Sequence, residues 1–187
     1  VASHKAESER RWGTKDAAKA LYEQAIRLSF EDKGAKDADA YIADKTRKPA
    51  AYNDPLGNYS ATALSSITIA WEDDSAEGAD KAAIKERNLE RIITQKWIAI
   101  FPLGVEAWSE HRRTGYPRLL PAVEDKSGGT VDLAQGARRL PYPVEEYDKN
   151  NANLQDAVQM LNSESQGSRK GDGMGTRVWW DVKPYNN

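Results

Sequence analysis

The chain has 187 residues, of which 39% are hydrophobic, and its mean hydropathy of -0.78 predicts a loop-rich protein with a modest core. Its 27 basic and 29 acidic residues leave a net charge of -2, and no basic stripe interleaves with the aromatics, which argues against nucleic acid as a partner. Zero cysteine excludes disulfides and thiolate sites from these residues, and no apolar run is long enough to cross a bilayer.

Two helices are predicted at the start of the chain, over residues 6–12 and 14–30, and together they form a helical hairpin over residues 1–34. Thr14 can cap the second helix, and small and apolar side chains then recur at helical spacing. Bulky Trp12 and Tyr22 alternate with alanines, as in helix pairs of the tetratricopeptide type. We expect both aromatic rings in the core.

A single helix pair needs neighbours to bury its open faces. The first residues also resemble a helix already under way, without a start signal. We therefore expect the chain to be the C-terminal part of a longer protein and to contact the remainder of its own chain N-terminal to Val1.

Residues 35–82 are predicted to be a loop-rich segment. A short helix fits residues 37–44, and the prolines and glycines that follow indicate a loop. Residues 64–71 alternate at period two, which favours an extended segment. The next residues lack EF-hand spacing, so a solvated acidic turn is favoured over a calcium site. The acidic residues are Glu72, Asp73, Asp74 and Glu77.

Residues 83–115 are predicted to be a second helix pair. Apolar residues line up at helical spacing from Ile84 to Ile100, and Pro102 should end this first helix near Phe101. A second helix should follow over residues 103–113, with Ala107 and Trp108 inward.

Residues 116–187 are predicted to be an irregular wrap with one helix, over residues 151–161. The glycines of residues 166–175 indicate a mobile or ligand-shaped loop. Adjacent Trp179 and Trp180 point to opposite faces of an extended segment, so one should pack inward and pin the terminus. The predicted fold class is mainly α, with tetratricopeptide-like helix pairs, long irregular loops and little or no β.

The residue patterns predict no catalytic residue, no metal site and no cofactor. Glu106 and Glu110 stand one helical turn apart and could mimic the carboxylate pair of a retaining glycosidase, but a solvated helix face paired with nearby arginines is favoured. His4 and His111 lack the spacing of a known metal site. The glycines of residues 171–175 lack the strand-to-helix context of a phosphate or dinucleotide loop.

Six tryptophans and eight tyrosines suit sugar binding, because the C–H face of a pyranose packs on an aromatic plane. The aromatics on helical stripes, Trp12, Tyr22, Trp97 and Trp108, are interpreted as scaffold. Loop aromatics and their polar neighbours are better placed for a ligand. The candidate ligand-binding residues are Tyr52, Asn53, Asn58, Tyr59 and Trp71.

Seven short motifs occur in an order that resembles the C-terminal portion of the SusD/RagB family, the surface nutrient-binding lipoproteins of Bacteroidetes. They are KAE (5–7), WGT (12–14), YEQAIRLSFE (22–31), ITQKW (93–97), EAWSEHRRTGYP (106–117), RRLPYP (138–143) and VWWD (178–181). The resemblance covers most of the chain except the loops near residues 46–63 and 163–175.

This resemblance implies a non-catalytic protein that is held by a lipid anchor at the extracellular face of the outer membrane. Such proteins bind an oligosaccharide nutrient, or a peptide in some branches, and deliver it to a SusC-like TonB-dependent transporter. Two alternatives stay open: a helix-pair interaction scaffold without its own ligand site, and a glycosidase.

Overall fold

A computed structural model describes residues 1–57, 59–164 and 170–181. The chain divides into two compact units, Val1–Leu119 and Leu120–Asn187. Unit 1 contains α1 (Ala2–Trp12), α2 (Lys15–Asp32), α3 (Ala38–Ile42), β1 (Tyr52–Asn53), β2 (Ser60–Ala61), α4 (Lys81–Ala99) and α5 (Gly104–Thr114). Unit 2 contains α6 (Val144–Lys149) and α7 (Asn151–Glu164).

The helix boundaries follow local signals in the sequence. The Thr14 side chain accepts a hydrogen bond from the Ala17 backbone N–H, which starts α2 as predicted. Asp80 caps α4 in the same way through Ala83. Gly115, with a φ of 76°, lets the chain leave α5 in a left-handed conformation that other residues rarely adopt. The predicted mainly α fold with tetratricopeptide-like helix pairs is confirmed. Among the described residues, no helix has the length and apolar composition that a membrane span requires.

The core of unit 1 lies between the first helix pair and α4. One cluster of buried residues comprises Ala6, Tyr22, Ile26, Ile42 and Ile92. A smaller cluster packs Leu89 and Ile93 of α4 against Tyr116. The Tyr22 hydroxyl donates to the Ile69 carbonyl at 2.6 Å, which joins the irregular segment after β2 to α2.

Two predicted core positions of unit 1 are wrong. Trp12 is 81% exposed, because it lies on the face of α1 opposite the buried Ala6 and Arg10. On α5 the buried residues are Glu110 and Thr114, whereas Trp108 is only partly buried under the Arg112 guanidinium, 4.2 Å from its ring centroid. In both helices, charged side chains are buried at positions where the apolar pattern predicts exposure to solvent.

The segment between α3 and α4 also differs from expectation. Residues 64–71 form no strand, although Ile67 and Ile69 are buried as a period-two pattern requires. A two-stranded antiparallel hairpin forms instead within the predicted loop, where Tyr52 pairs with Ala61 and Asn53 pairs with Ser60.

The predicted solvated acidic turn is only partly solvated. Asp73 is exposed, but Glu72 accepts two hydrogen bonds from Arg87, the longer at 2.8 Å. Asp74 pairs with Lys15 at 3.0 Å. Glu72 and Asp74, two carboxylates that a calcium ion at this turn would need, are therefore paired with basic residues of α4 and α2.

In unit 2, the predicted helix forms as α7, and its Leu154 side chain is buried, with 3% exposed. The short helix α6 was missed, because it spans only six residues and has no buried side chain to produce a periodic pattern.

Candidate ligand-binding site

The β1–β2 hairpin brings two of the predicted site residues together at the surface. The rings of Tyr52 and Tyr59 lie 6.1 Å apart between centroids and are tilted by 43°. The Asp54 N–H donates to the Tyr59 carbonyl at 2.9 Å, and the Asp54 carboxylate accepts from the Leu56 N–H at 3.0 Å, so backbone hydrogen bonds shape the turn. Tyr52 is 43% exposed, which leaves aromatic surface open to a ligand.

The other predicted site residues lie in different surroundings. Asn53 is exposed beside Tyr52 but points to the opposite face of the strand. Asn58 lies outside the described residues. Trp71 packs on the core, 5.5 Å from the Tyr22 ring and 5.8 Å from the Arg10 guanidinium. The structure therefore joins Tyr52 to Tyr59 and places Trp71 among the scaffold residues.

A groove of about 290 Å³ is lined in part by the segments that precede and follow this hairpin in the sequence. Residues 47–49 form one wall and lead directly into β1, and residues 67–69 form another wall after β2. Pro49 is three residues from Tyr52, so their Cα atoms lie within about 11 Å of each other. We call this cavity the hairpin groove. It is lined by Tyr41, Arg47, Lys48, Pro49, Ile67, Thr68, Ile69, Thr94, Gln95 and Ile98.

Hydrogen bonds hold two sides of the hairpin groove in place. Tyr41 and Gln95 exchange hydrogen bonds through the tyrosine hydroxyl, at 3.0 and 3.1 Å. Asp44 accepts hydrogen bonds from the backbone N–H groups of Arg47 and Thr46 and from the Thr46 hydroxyl, which together lower its pKa to about 2. Asp44 is therefore ionised at neutral pH and organises the wall that carries Arg47.

A second cluster in unit 1 contains residue types that bind metals. His4, Glu106 and Glu110 each offer a donor atom, and these atoms lie within 4.8 Å of one another. The Lys96 ammonium lies among them, 2.6 Å from His4 Nε2, 2.8 Å from Glu110 and 3.4 Å from Glu106. Because an ammonium has three N–H donors, it can donate to all three groups and takes the position that a metal ion would need.

Glu110 continues this cluster towards α1. Arg113 donates to Glu110 and to Glu7, both at 2.7 Å, and Arg11 donates to Glu7 at 2.8 Å. Burial opposes ionisation of the two carboxyls, but hydrogen bonds and charges from Arg113, with Arg11 at Glu7 and Lys96 at Glu110, lower the pKa of each below its ordinary value. We call these connected side chains the unit 1 ion network.

The unit 1 ion network corrects the prediction that Glu110 lies on a solvated helix face, because this residue is only 6% exposed. The general acid of a glycosidase needs a raised pKa, whereas the pKa of Glu110 is lowered. The environment of Glu110 thus differs from that of a glycosidase general acid.

Unit 2 holds a second set of buried ion pairs. Arg138 donates to Asp181 through Nε, at 2.7 Å, and through Nη2, and both residues are almost fully buried. Arg139 pairs with Asp172 at 2.5 Å, and Asp172 also accepts from the Tyr147 hydroxyl at 2.7 Å. We call these pairs the unit 2 ion network.

The C-terminal VWWD motif is held by its aspartate rather than by its tryptophans. Trp179 and Trp180 are 70% and 42% exposed, so the prediction that one of them packs inward is wrong. Asp181, the next residue, is the buried one. In the glycine-rich loop, residues 165–169 lie outside the described part, while the Met174 carbonyl accepts from the Arg138 N–H at 2.7 Å. The described end of that loop is thus bound to the RRLPYP motif.

Tyr52 and Tyr59 are candidate site residues from the sequence, but neither their ring contact nor the hairpin groove is predicted by it. Arg47 and Lys48 form a basic pair just before the hairpin, which is a weak signal. Thr94 and Gln95 belong to the ITQKW motif, where they interrupt an apolar stripe. The groove forms from three segments distant in sequence, and no local pattern predicts their meeting.

Comparison with known proteins places these features in context. A family model for SusD-like proteins (Susd and RagB outer membrane lipoprotein) matches residues 1–181. A SusD homologue from Bacteroides thetaiotaomicron is 47% identical, with a TM-score of 0.82 over 98% of this chain and 37% of that chain. A homologue from Bacteroides uniformis is 49% identical, with a TM-score of 0.79 over 97% and 36%.

A chitin-binding SusD homologue from Flavobacterium johnsoniae is 39% identical, with a TM-score of 0.78 over 98% of this chain and 35% of that chain. The present chain thus spans little more than a third of the length of these solved structures. No curated protein sequence gives a significant match.

Proposed function

We propose that this chain, which belongs to the SusD/RagB family of outer-membrane lipoproteins, contributes to non-catalytic binding of an oligosaccharide nutrient at the bacterial surface. The observation that carries this proposal is the Tyr52–Tyr59 ring pair, in which Tyr52 is exposed and Tyr59 partly exposed, in a hairpin whose flanking segments line the hairpin groove. Accessible aromatic rings near a mainly apolar cavity that also contains hydroxyl, amide and basic groups suit the mixed C–H and hydroxyl surface of a sugar. The chitin-binding homologue supports a saccharide over a peptide.

Removal of either tyrosine ring is the direct test of this site. We expect Tyr52→Ala and Tyr59→Ala each to weaken saccharide binding about tenfold, equivalent to about 1.4 kcal/mol, because each removes an aromatic surface without touching the core. Isothermal titration of the protein expressed from its complete reading frame, against a panel of neutral and acidic oligosaccharides, measures the effect.

Trp179→Ala is the matched control for the tyrosine variants, since it removes an exposed aromatic ring from unit 2. Its affinity should equal that of the parent protein. Equal losses in all three variants, or none in the tyrosine variants, would contradict the assignment of the site to the hairpin.

We also propose that the protein lies at the extracellular face of the outer membrane, held by a lipid anchor, and delivers its ligand to a SusC-like TonB-dependent transporter. The family to which the chain belongs supports this placement. We expect an affinity-tagged copy, solubilised from its native outer membrane, to co-purify with one TonB-dependent barrel. Loss of the barrel from every preparation would count against delivery.

A scaffold role without a ligand site is a second candidate, favoured by one feature of unit 1. Three large apolar side chains at the start of α5, Phe101, Leu103 and Val105, are between 61% and 80% exposed. Apolar side chains exposed together are typical of protein interfaces. Co-purification of the transporter without affinity for any saccharide would favour the scaffold.

A further inference from the structure

We propose that the hairpin groove takes an acidic sugar unit, with the anionic group of the ligand between Arg47 and Lys48. This inference rests on the proposed saccharide-binding function and specifies the ligand class of the same site. The argument comes from the charge, polarity and size of the groove.

The charged residues that line the hairpin groove are all basic. Arg47 and Lys48 lie on its rim, and no aspartate or glutamate belongs to the lining. This local sign is opposite to the net charge of -2 of the whole chain. A cavity edged by cations attracts anions and disfavours cationic ligands.

Nearby carboxylates neutralise only part of this charge. Asp44 lies 3.1 Å from Arg47 Nε, but the Arg47 side chain remains 72% exposed and keeps other N–H donors for a ligand. Lys48 is exposed and forms no ion pair within the described parts of the chain. Among the described residues, Lys48 is thus a cation without an ion-pair partner in the lining of the groove.

The remaining lining suits a sugar ring rather than a simple anion. Pro49 and Ile98 offer apolar surface to a C–H face, while Thr94 and Gln95 offer a hydroxyl and an amide to ligand hydroxyls. A volume of about 290 Å³ lies at the lower end of the range for ligand pockets, about 300–1,000 Å³. We therefore expect the groove to hold one sugar unit while the rest of the oligosaccharide passes over the tyrosine pair.

Two other cavities in the described part of unit 1 lack these properties. A cavity of about 250 Å³ on the far side of the Tyr41–Gln95 pair has no charged lining residue. A third, of about 450 Å³, contains Lys96 beside Glu106 and Asp32, and its lysine is already paired with acidic groups. Compared with these two cavities, the hairpin groove has an excess of positive charge in its lining.

The test compares acidic with neutral ligands on the protein expressed from its complete reading frame. The probes are oligogalacturonate and hyaluronan oligosaccharides for carboxylates, chondroitin sulfate oligosaccharides for sulfates, and chitin and xylan oligosaccharides as neutral ligands. We expect binding to at least one acidic probe, weakened about tenfold by Lys48→Gln and further by Arg47→Gln/Lys48→Gln. This affinity should also fall as salt rises from 50 to 500 mM.

Lys45→Gln is the matched control, because Lys45 is an exposed lysine of the same loop that does not line the groove. It should leave affinity within twofold of the parent. Preference among the acidic probes distinguishes a carboxylate from a sulfate ligand.

Two outcomes would overturn the inference in distinguishable ways. Binding of neutral oligosaccharides alone, dependent on Tyr52 but unaffected by Lys48→Gln, would refute the acidic ligand and leave the proposed function standing. Binding of no probe at all would contradict both.

Discussion

Replacing Asp181 with asparagine is expected to lower the free energy of unfolding by about 3–5 kcal/mol, because it leaves the buried Arg138 guanidinium without its counter-charge. Arg138 is 1% exposed and Asp181 is 3% exposed, so water cannot replace the lost carboxylate. Urea denaturation followed by circular dichroism measures the change, and amide hydrogen exchange locates it. Protection should fall first in unit 2, where the RRLPYP motif is held by this pair.

Two comparison variants separate the ion pair from its surroundings. Trp179→Ala should change stability by no more than about 0.5 kcal/mol, since the ring is mostly exposed. The double variant Arg138→Met/Asp181→Leu removes both charges and should be less destabilised than Asp181→Asn, because no unpaired charge stays buried. A large loss in Trp179→Ala with none in Asp181→Asn would restore the tryptophan as the residue that pins the terminus.

The helices of unit 1 could be predicted because their signals are local. Thr14 and Gly115 are suited to a helix start and a helix end by their own chemistry, and the apolar stripe of α4 repeats within one segment. Trp12 could not be placed correctly, because the partner surfaces that decide which face of α1 is buried come from elsewhere in the chain. Periodicity finds a helix more reliably than it finds the neighbours of that helix.

Buried charges account for the largest errors about individual residues. Glu110, Lys96 and Arg138 are buried although charged residues normally lie at the surface. Lys96 and Glu110 pair across 14 positions and Arg138 and Asp181 across 43, and neither spacing is a local pattern that a single sequence reveals. The prediction that either Trp179 or Trp180 packs inward is wrong for the same reason, since the buried residue of this segment is Asp181.

The candidate site likewise depends partly on local sequence and partly on contacts between segments that are distant in the sequence. Tyr52 and Tyr59 could be proposed from sequence because a loop rich in proline and glycine leaves large aromatics few internal partners. Their mutual contact depends on the turn at Asp54, whereas the hairpin groove depends on α3, α4 and residues 67–69 meeting in space. Local composition therefore predicts the two tyrosines as candidate site residues but does not predict the hairpin groove.

The two ion networks contain charged residues from the motifs on which the family resemblance rests. Glu7 of KAE, Lys96 of ITQKW, and Glu110 and Arg113 of EAWSEHRRTGYP all belong to the unit 1 ion network. Arg138 of RRLPYP and Asp181 of VWWD form the central pair of unit 2. Charged residues of these motifs therefore hold each unit together.

Replacing Glu110 with glutamine is expected to destabilise unit 1 by about 3 kcal/mol at neutral pH, because Lys96 and Arg113 then lose a buried counter-charge. The pH dependence follows from the lowered pKa values of Glu7 and Glu110. A carboxyl with a lowered pKa in the folded state adds stability above its ordinary value of 4.5 and loses it as pH falls through the folded value. The parent protein should thus lose stability below about pH 4.5.

Glu106→Gln is the control for Glu110→Gln, since both residues lie on α5 and face Lys96, yet the Glu106 side chain is 47% exposed and 3.4 Å away. Its cost should stay below about 1 kcal/mol because exposed ion pairs contribute little. Urea titrations from pH 7 to pH 3 should show a flatter acid limb in Glu110→Gln than in the parent. Equal costs in the two variants, or parallel acid limbs, would mean that the buried position of Glu110 does not determine the strength of the network.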